Sequence, residues 1–137
     1  MRERVFLDTN VLIYADDLDA GDKHARAREL LGAVIRGQNG VLSTQVLQEF
    51  FVVATRKLGV EAAVARRKVE LLSALDVVSI QVPHVLSAID LHRLHSLSFW
   101  DALIVTCAAA AGCARLYSED MQHGVTLAGV RVENPFA

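Results

Sequence analysis

Short apolar runs alternate with stretches of helical period along the chain, the pattern of βαβ units built around a parallel sheet. Arg4 to Leu7 reads as the first strand, followed by a short helix from Thr9 to about Ala15. A polar connection, Asp16 to Asp22, leads into an amphipathic helix over His24 to Arg36, with Ala27, Leu30, Leu31, Val34 and Ile35 on one face. Gly40 to Ser43 is the second predicted strand, and Thr44 to Lys57 a helix that is apolar nearly all round. Glu61 to Leu75 forms another amphipathic helix and Asp76 to Gln81 a third strand. Pro83 suits the first turn of a helix reaching about His95. Ser98 to Ala111 is the next helix, stopped by Gly112. Arg115 to Ser118 and Val130 to Glu133 complete the pattern. The expected fold is α/β: three layers, α/β/α, around a central, mostly parallel five-stranded sheet.

Composition narrows the class. At 137 residues the chain is one domain able to bury a core, and 53% apolar content excludes a disordered protein. The longest strongly apolar run, Ala102 to Ala111, falls well short of the roughly 20 residues a membrane helix needs. No secretory apolar region follows Met1-Arg2-Glu3-Arg4, so the expected compartment is cytoplasmic, with no membrane partner. Cys107 and Cys113 lack the C-x-x-C spacing and read as reduced, structural residues.

The net charge of −2 conceals an asymmetry. Between Lys23 and Lys68 nine basic residues face three acidic ones, whereas from Val69 onward three basic residues face seven acidic ones. Two readings stay open: ordinary solvated helix surface, or a basic flank that holds a polyphosphate backbone. In the second, Arg56, Lys57, Arg66, Arg67 and Lys68 are the candidate contacts.

Asp8, Glu49, Asp101 and Asp120 each lie in or beside an apolar stretch. An ionised carboxylate in such surroundings is costly unless paired or bound to a metal. Chain geometry brings them to one rim. Asp8 follows strand one and Asp120 lies just past strand four, while Glu49 is in the second turn of the helix leaving strand two. The Asp101 helix returns to strand four, so its N-terminus sits at the same carboxyl edge, where open parallel sheets bind ligands. Singly, each has a plainer explanation: Asp8 as a helix cap, Asp101 in a Ser98-x-x-Asp capping pattern, Asp120 in a turn before Gly124. Together they read as a divalent-metal site. Side-chain alternation along a strand pairs Ser118 with Asp120, leaving Glu119 as the substitute.

The blocks Leu7-Asp8-Thr9-Asn10-Val11-Leu12-Ile13-Tyr14, Gln45-Val46-Leu47-Gln48-Glu49-Phe50, Leu97-Ser98-Phe99-Trp100-Asp101-Ala102-Leu103-Ile104 and Tyr117-Ser118-Glu119-Asp120 resemble, in order and spacing, the PIN-domain family. The likeness is greatest to the small VapC-type toxins of prokaryotic toxin–antitoxin pairs. It implies a ribonuclease dependent on Mg2+ or Mn2+, with Asp8, Glu49, Asp101 and Asp120 at the family's acidic positions. It also implies an RNA substrate and a small cognate antitoxin. Asp8 and Asp101 are the expected direct ligands, Glu49 and Asp120 bind directly or through water, and Asn10 and Ser118 orient them. The surplus of apolar helix surface adds an expected homodimer. Two alternatives are a receiver-like phosphate enzyme, disfavoured because no Lys follows Lys68, and a non-catalytic module that keeps only the fold.

Overall fold

Val5, Phe6 and Leu7 are all buried, so this strand is covered on both faces, as a central parallel strand must be. In the computed structural model, which describes residues 3–137, it is β1 (Val5–Leu7), followed by α1 (Thr9–Asp16) and α2 (Asp22–Gly37). Next come β2 (Gly40–Ser43), α3 (Thr44–Arg56), α4 (Ala62–Leu72), β3 (Asp76–Val78), α5 (Val82–Leu94) and α6 (Phe99–Ala110). The chain closes with β4 (Arg115–Tyr117), β5 (Thr126–Leu127) and β6 (Val130–Glu133). The Met1-Arg2 part of the leader reading lies outside the described residues. Among those residues no helix is long and apolar enough to cross a membrane.

The sheet order is β3-β2-β1-β4-β6-β5, parallel except for β5 against β6. Helices flank it in two groups: α1 packs on α2 and α3, and α3 on α4, while α5 packs on α6. Because the chain builds outward from β1 through β2 and β3, then returns to place β4 on the other side, the strand order reverses between β1 and β4. A crevice opens at such a switch point, beyond the carboxyl ends of the two strands.

The expected α/β architecture is observed, with six strands among the described residues rather than five. The extra strand, β5, is two residues long and joins β6 through Ala128 and Gly129, both at positive φ (49° and 79°). Strand three was expected to reach Gln81 but ends at Val78. Its only neighbour among the described residues, β2, turns into α3 after Ser43, so Ser79 to Gln81 have no ladder to join. The Ile80 amide instead donates to Thr44 Oγ1 at 3.3 Å.

Candidate active site

Asp8 is the first residue beyond β1 and only 5% exposed. Its Oδ1 accepts from the Thr9 amide and its Oδ2 from the Ser118 hydroxyl, each at 2.7 Å. The register that pairs Leu7 with Tyr117 brings the Ser118 side chain within reach. Ser118 is fully buried, and its Oγ also accepts from the Asp120 amide at 3.1 Å. Asp8 thus caps α1 and also anchors the segment leaving β4.

Glu49 reaches the rim from the second turn of α3, whose start is fixed by the Ser43 cap on the Val46 amide. It is an exposed residue, and its Oε1 accepts from Thr9 Oγ1 at 3.3 Å. Gln45, one turn earlier and buried, supports the same carboxylate and donates through Nε2 to the Trp100 carbonyl at 3.3 Å. That bond ties α3 to the first turn of α6, where Asp101 sits behind the Ser98 cap (Asp101 N to Ser98 Oγ, 3.1 Å). Asp120 accepts from Asn10 Nδ2 at 3.0 Å.

The electrostatics agree with a gathered set of negative charges. Burial pushes the Asp8 carboxyl up to about 6 against the Ser118 and Thr9 hydrogen bonds, with the Asp120 and Glu49 charges adding to the rise. Glu49 is raised by partial burial first, then by Asp101 and Asp120, and Asp101 by burial and then Asp120. Desolvation is the larger cause throughout, and mutual repulsion comes second.

The structure therefore brings Asp8, Glu49, Asp101 and Asp120 to one rim, with Ser118 and Asn10 touching them. The rim is open: no three His, Cys, Asp or Glu side chains among the described residues close around one point at ligand distance. The donor set still suits a hard divalent ion. It is all oxygen, and buried amide oxygens on two side chains touching the rim, Asn10 Oδ1 and Gln45 Oε1, lack any hydrogen-bond partner. Mg2+ typically keeps several waters and takes one or two carboxylates directly, so it requires no closed protein cage.

A model of the PIN-domain family matches residues 5–124. The chain is a PIN domain. Solved structures of similar fold include the Mycobacterium tuberculosis toxin VapC20, described as cleaving the sarcin–ricin loop, at TM-score 0.68 and 23% identity over 85% of this chain and 89% of that one. A toxin–antitoxin complex from Klebsiella pneumoniae gives TM-score 0.71 and 22% identity over 96% and 97%. A DNA-bound VapBC complex from Salmonella typhimurium gives TM-score 0.71 and 17% identity over 98% and 99%. At such identities the likeness is one of fold. No curated protein matches this PIN domain in sequence.

The five candidate cations divide. Arg66 and Arg67 pair with Glu70 at 2.5 and 3.3 Å, and Lys68 with Asp16 at 2.9 Å. Arg56 and Lys57, at the end of α3, are exposed and form no ion pair with the described residues. Four histidines are spent locally: His24 and His92 meet the Tyr14 and Leu97 carbonyls, and His84 and His123 accept from the Gln81 and Asn134 amides. Both cysteines of this PIN domain are free and buried, their thiols pushed up to about 11 by burial. Sequence reasoning assigned no role to Thr9 or Gln45. Gln45 carried a signal: a polar side chain one turn before Glu49, on the same side of a mostly apolar helix.

Proposed function

We propose that this PIN domain is a metal-dependent endoribonuclease, the toxin of a type II toxin–antitoxin pair. The observation that carries this reading is the buried Asp8 at the β1–β4 switch point, joined there by Glu49, Asp101 and Asp120. Asp8 and Asp101 would hold Mg2+ or Mn2+ directly, with Glu49 and Asp120 at the outer positions. Bound there, the ion supplies positive charge to the scissile phosphate and acidifies water. Ser118 and the Thr9 amide fix both oxygens of Asp8, so this carboxylate is pre-oriented before any ligand arrives. Glu49 is the residue best suited to take the proton of the attacking water, because it is exposed and its pKa is raised. RNA phosphates would be contacted by Arg56 and Lys57, the two of the five candidate cations that form no ion pair with the described residues, at about 10–12 Å of helix rise from Glu49.

The apolar helix surface is not consumed within the domain. Phe51 and Val52 are exposed beside a groove of about 640 Å³ between α3 and α4, lined also by Leu47, Ala62, Ala63 and Val69. We assign this groove to an amphipathic antitoxin helix. Val82, Leu86 and Ile89 form an exposed stripe along α5, which we assign to the homodimer. The open rim favours one competing reading, a fold-only binding module. Thermal melts with and without millimolar Mg2+ or Mn2+ separate them. The nuclease reading expects a rise in Tm that is lost in Asp101→Asn, and no rise in the wild-type chain supports the module.

A further inference from the structure

Two adjacent carboxylates leave β4, and strand alternation assigns them to opposite sides. The alternation stops with β4 at Tyr117, and α1 holds both. Asn10 Nδ2 donates to Asp120 Oδ2 at 3.0 Å, and the Tyr14 hydroxyl donates to Glu119 Oε1 at 2.5 Å. Asn10 and Tyr14 are four residues apart on α1, so they stand one turn above the other on a single face. One helix face thus grips two consecutive residues of the loop.

The second grip has two partners. Lys23, in the first turn of α2, bonds Glu119 Oε2 at 2.9 Å, and its ammonium lies 4.9 Å from the Tyr14 ring centre and 5.7 Å from that of Phe136. The Phe136 ring meets Tyr14 edge-on at 5.1 Å. The Glu119 side chain is 20% exposed but that of Lys23 is 45% exposed, so the ion pair itself adds little to overall stability, and its consequence is where it holds the loop. Burial pushes Glu119 up, but the Tyr14 and Lys23 hydrogen bonds, with the Lys23 and Lys57 charges, outweigh it, and the carboxyl ends below its usual range. Both its oxygens are taken. Asp120, by contrast, is exposed and sits in a loop, held among the described residues by its amide bond to Ser118 and by Asn10.

We propose that Glu119 is a positioning residue: clamped by Tyr14 and Lys23, it locks the segment after β4 onto α1 and holds the Asp120 carboxylate on the rim for the divalent ion. This rests on the assignment of Asp120 to the metal-holding set. The latch removes conformational freedom that Asp120 otherwise loses on binding, so its effect is on affinity for the ion.

The test is Mn2+ affinity of the full chain, measured by electron paramagnetic resonance, with melting in EDTA as the control for folding. Tyr14→Phe, which deletes one oxygen, and Glu119→Ala should each weaken Mn2+ binding by about tenfold, as loss of residues that orient ligands does. Their melting in EDTA should stay close to wild type, and RNA cleavage should recover at saturating Mg2+. Glu119→Gln keeps an oxygen for the Tyr14 hydroxyl and should restore most of the affinity. The Tyr14→Phe and Glu119→Ala pair together should be no worse than Glu119→Ala alone. Unchanged affinity in both single variants, alongside a loss in Asp120→Asn, overturns the latch and leaves the metal reading standing. A loss in Glu119→Ala without one in either Tyr14→Phe or Lys23→Met makes Glu119 a ligand in its own right and also overturns the latch. Unchanged affinity in Asp120→Asn removes the assignment beneath it, and the latch falls with it.

Discussion

Replacing Asp8 by Asn should stabilise the metal-free protein while destroying its response to metal. Burial holds the Asp8 carboxyl at about 6, against an ordinary value of 3.8. The folded state therefore binds this proton more tightly than the unfolded chain. The resulting stability is fully present below pH 3.8 and is lost as pH rises through about 6. At pH 7 the difference amounts to about 3 kcal/mol against the ionised folded form, and about half of that is already felt at pH 5. Asn removes this penalty but must satisfy its own amide protons beside Ser118 and Thr9, at about 1 kcal/mol. The net gain at pH 7 is about 1–3 kcal/mol, or roughly 3–10 °C in Tm for a domain of this size. Differential scanning calorimetry in EDTA across pH 5 to 7.5 measures it. Asp8→Asn should melt above wild type, with the gap widening as pH rises. Adding millimolar Mg2+ should raise wild type alone, narrowing or reversing the order. A variant that melts below wild type in EDTA at pH 7, or a gap that ignores pH, refutes the reasoning.

Neutralising Arg56 and Lys57 to Gln should weaken RNA binding and reduce the salt slope of log K by about 0.7 for each single-strand phosphate that is no longer neutralised. The same changes at Arg66 and Arg67, already paired with Glu70, should do little; filter binding across a salt series compares both variants with wild type, and a slope unchanged from wild type in both would return all four residues to ordinary surface. Leu86→Asp on the exposed stripe of α5 should convert a dimer into a monomer near 14.9 kDa in sedimentation, and a wild-type chain that is already monomeric at high micromolar concentration removes the dimer. Phe51→Asp in the α3–α4 groove should abolish co-purification with a co-expressed antitoxin without altering RNA cleavage by the free chain, and an undiminished complex would place the antitoxin elsewhere.

What the sequence could show follows from whether a signal is local. Val5-Phe6-Leu7 and Gly40-Val41-Leu42-Ser43 declare doubly covered strands because both faces are apolar or small, and they are buried throughout. The convergence of Asp8, Glu49, Asp101 and Asp120 was legible because three are tied to the start of a helix and Asp120 to the end of a strand, and the directions of these elements are set by the alternation of strands and helices. The short hairpin was not: β5 has two residues, and its turn places Ala128 at positive φ where Asn or Gly would have announced it. Strand alternation separates Glu119 from Asp120 but could not show the partners of Glu119, because Tyr14 and Lys23 come from α1 and α2. The Arg66–Glu70 pair was visible as an i,i+4 spacing and could have been discounted as an RNA contact from the outset. Lys68 could not, because its partner Asp16 is 52 residues away and meets it only through the packing of the fold.

The central claim is that the rim of carboxylates cuts RNA with the help of a divalent ion. Its most direct test is to incubate the purified chain, and its Asp101→Asn variant, with total cellular RNA in Mg2+ or in EDTA, and to map new ends by sequencing. Cleavage at discrete sites by the wild-type chain in Mg2+, absent in EDTA and absent in Asp101→Asn, is the predicted result. Ends that appear equally in EDTA, or at the wild-type rate with Asp101→Asn, or no new ends under any condition, would contradict it.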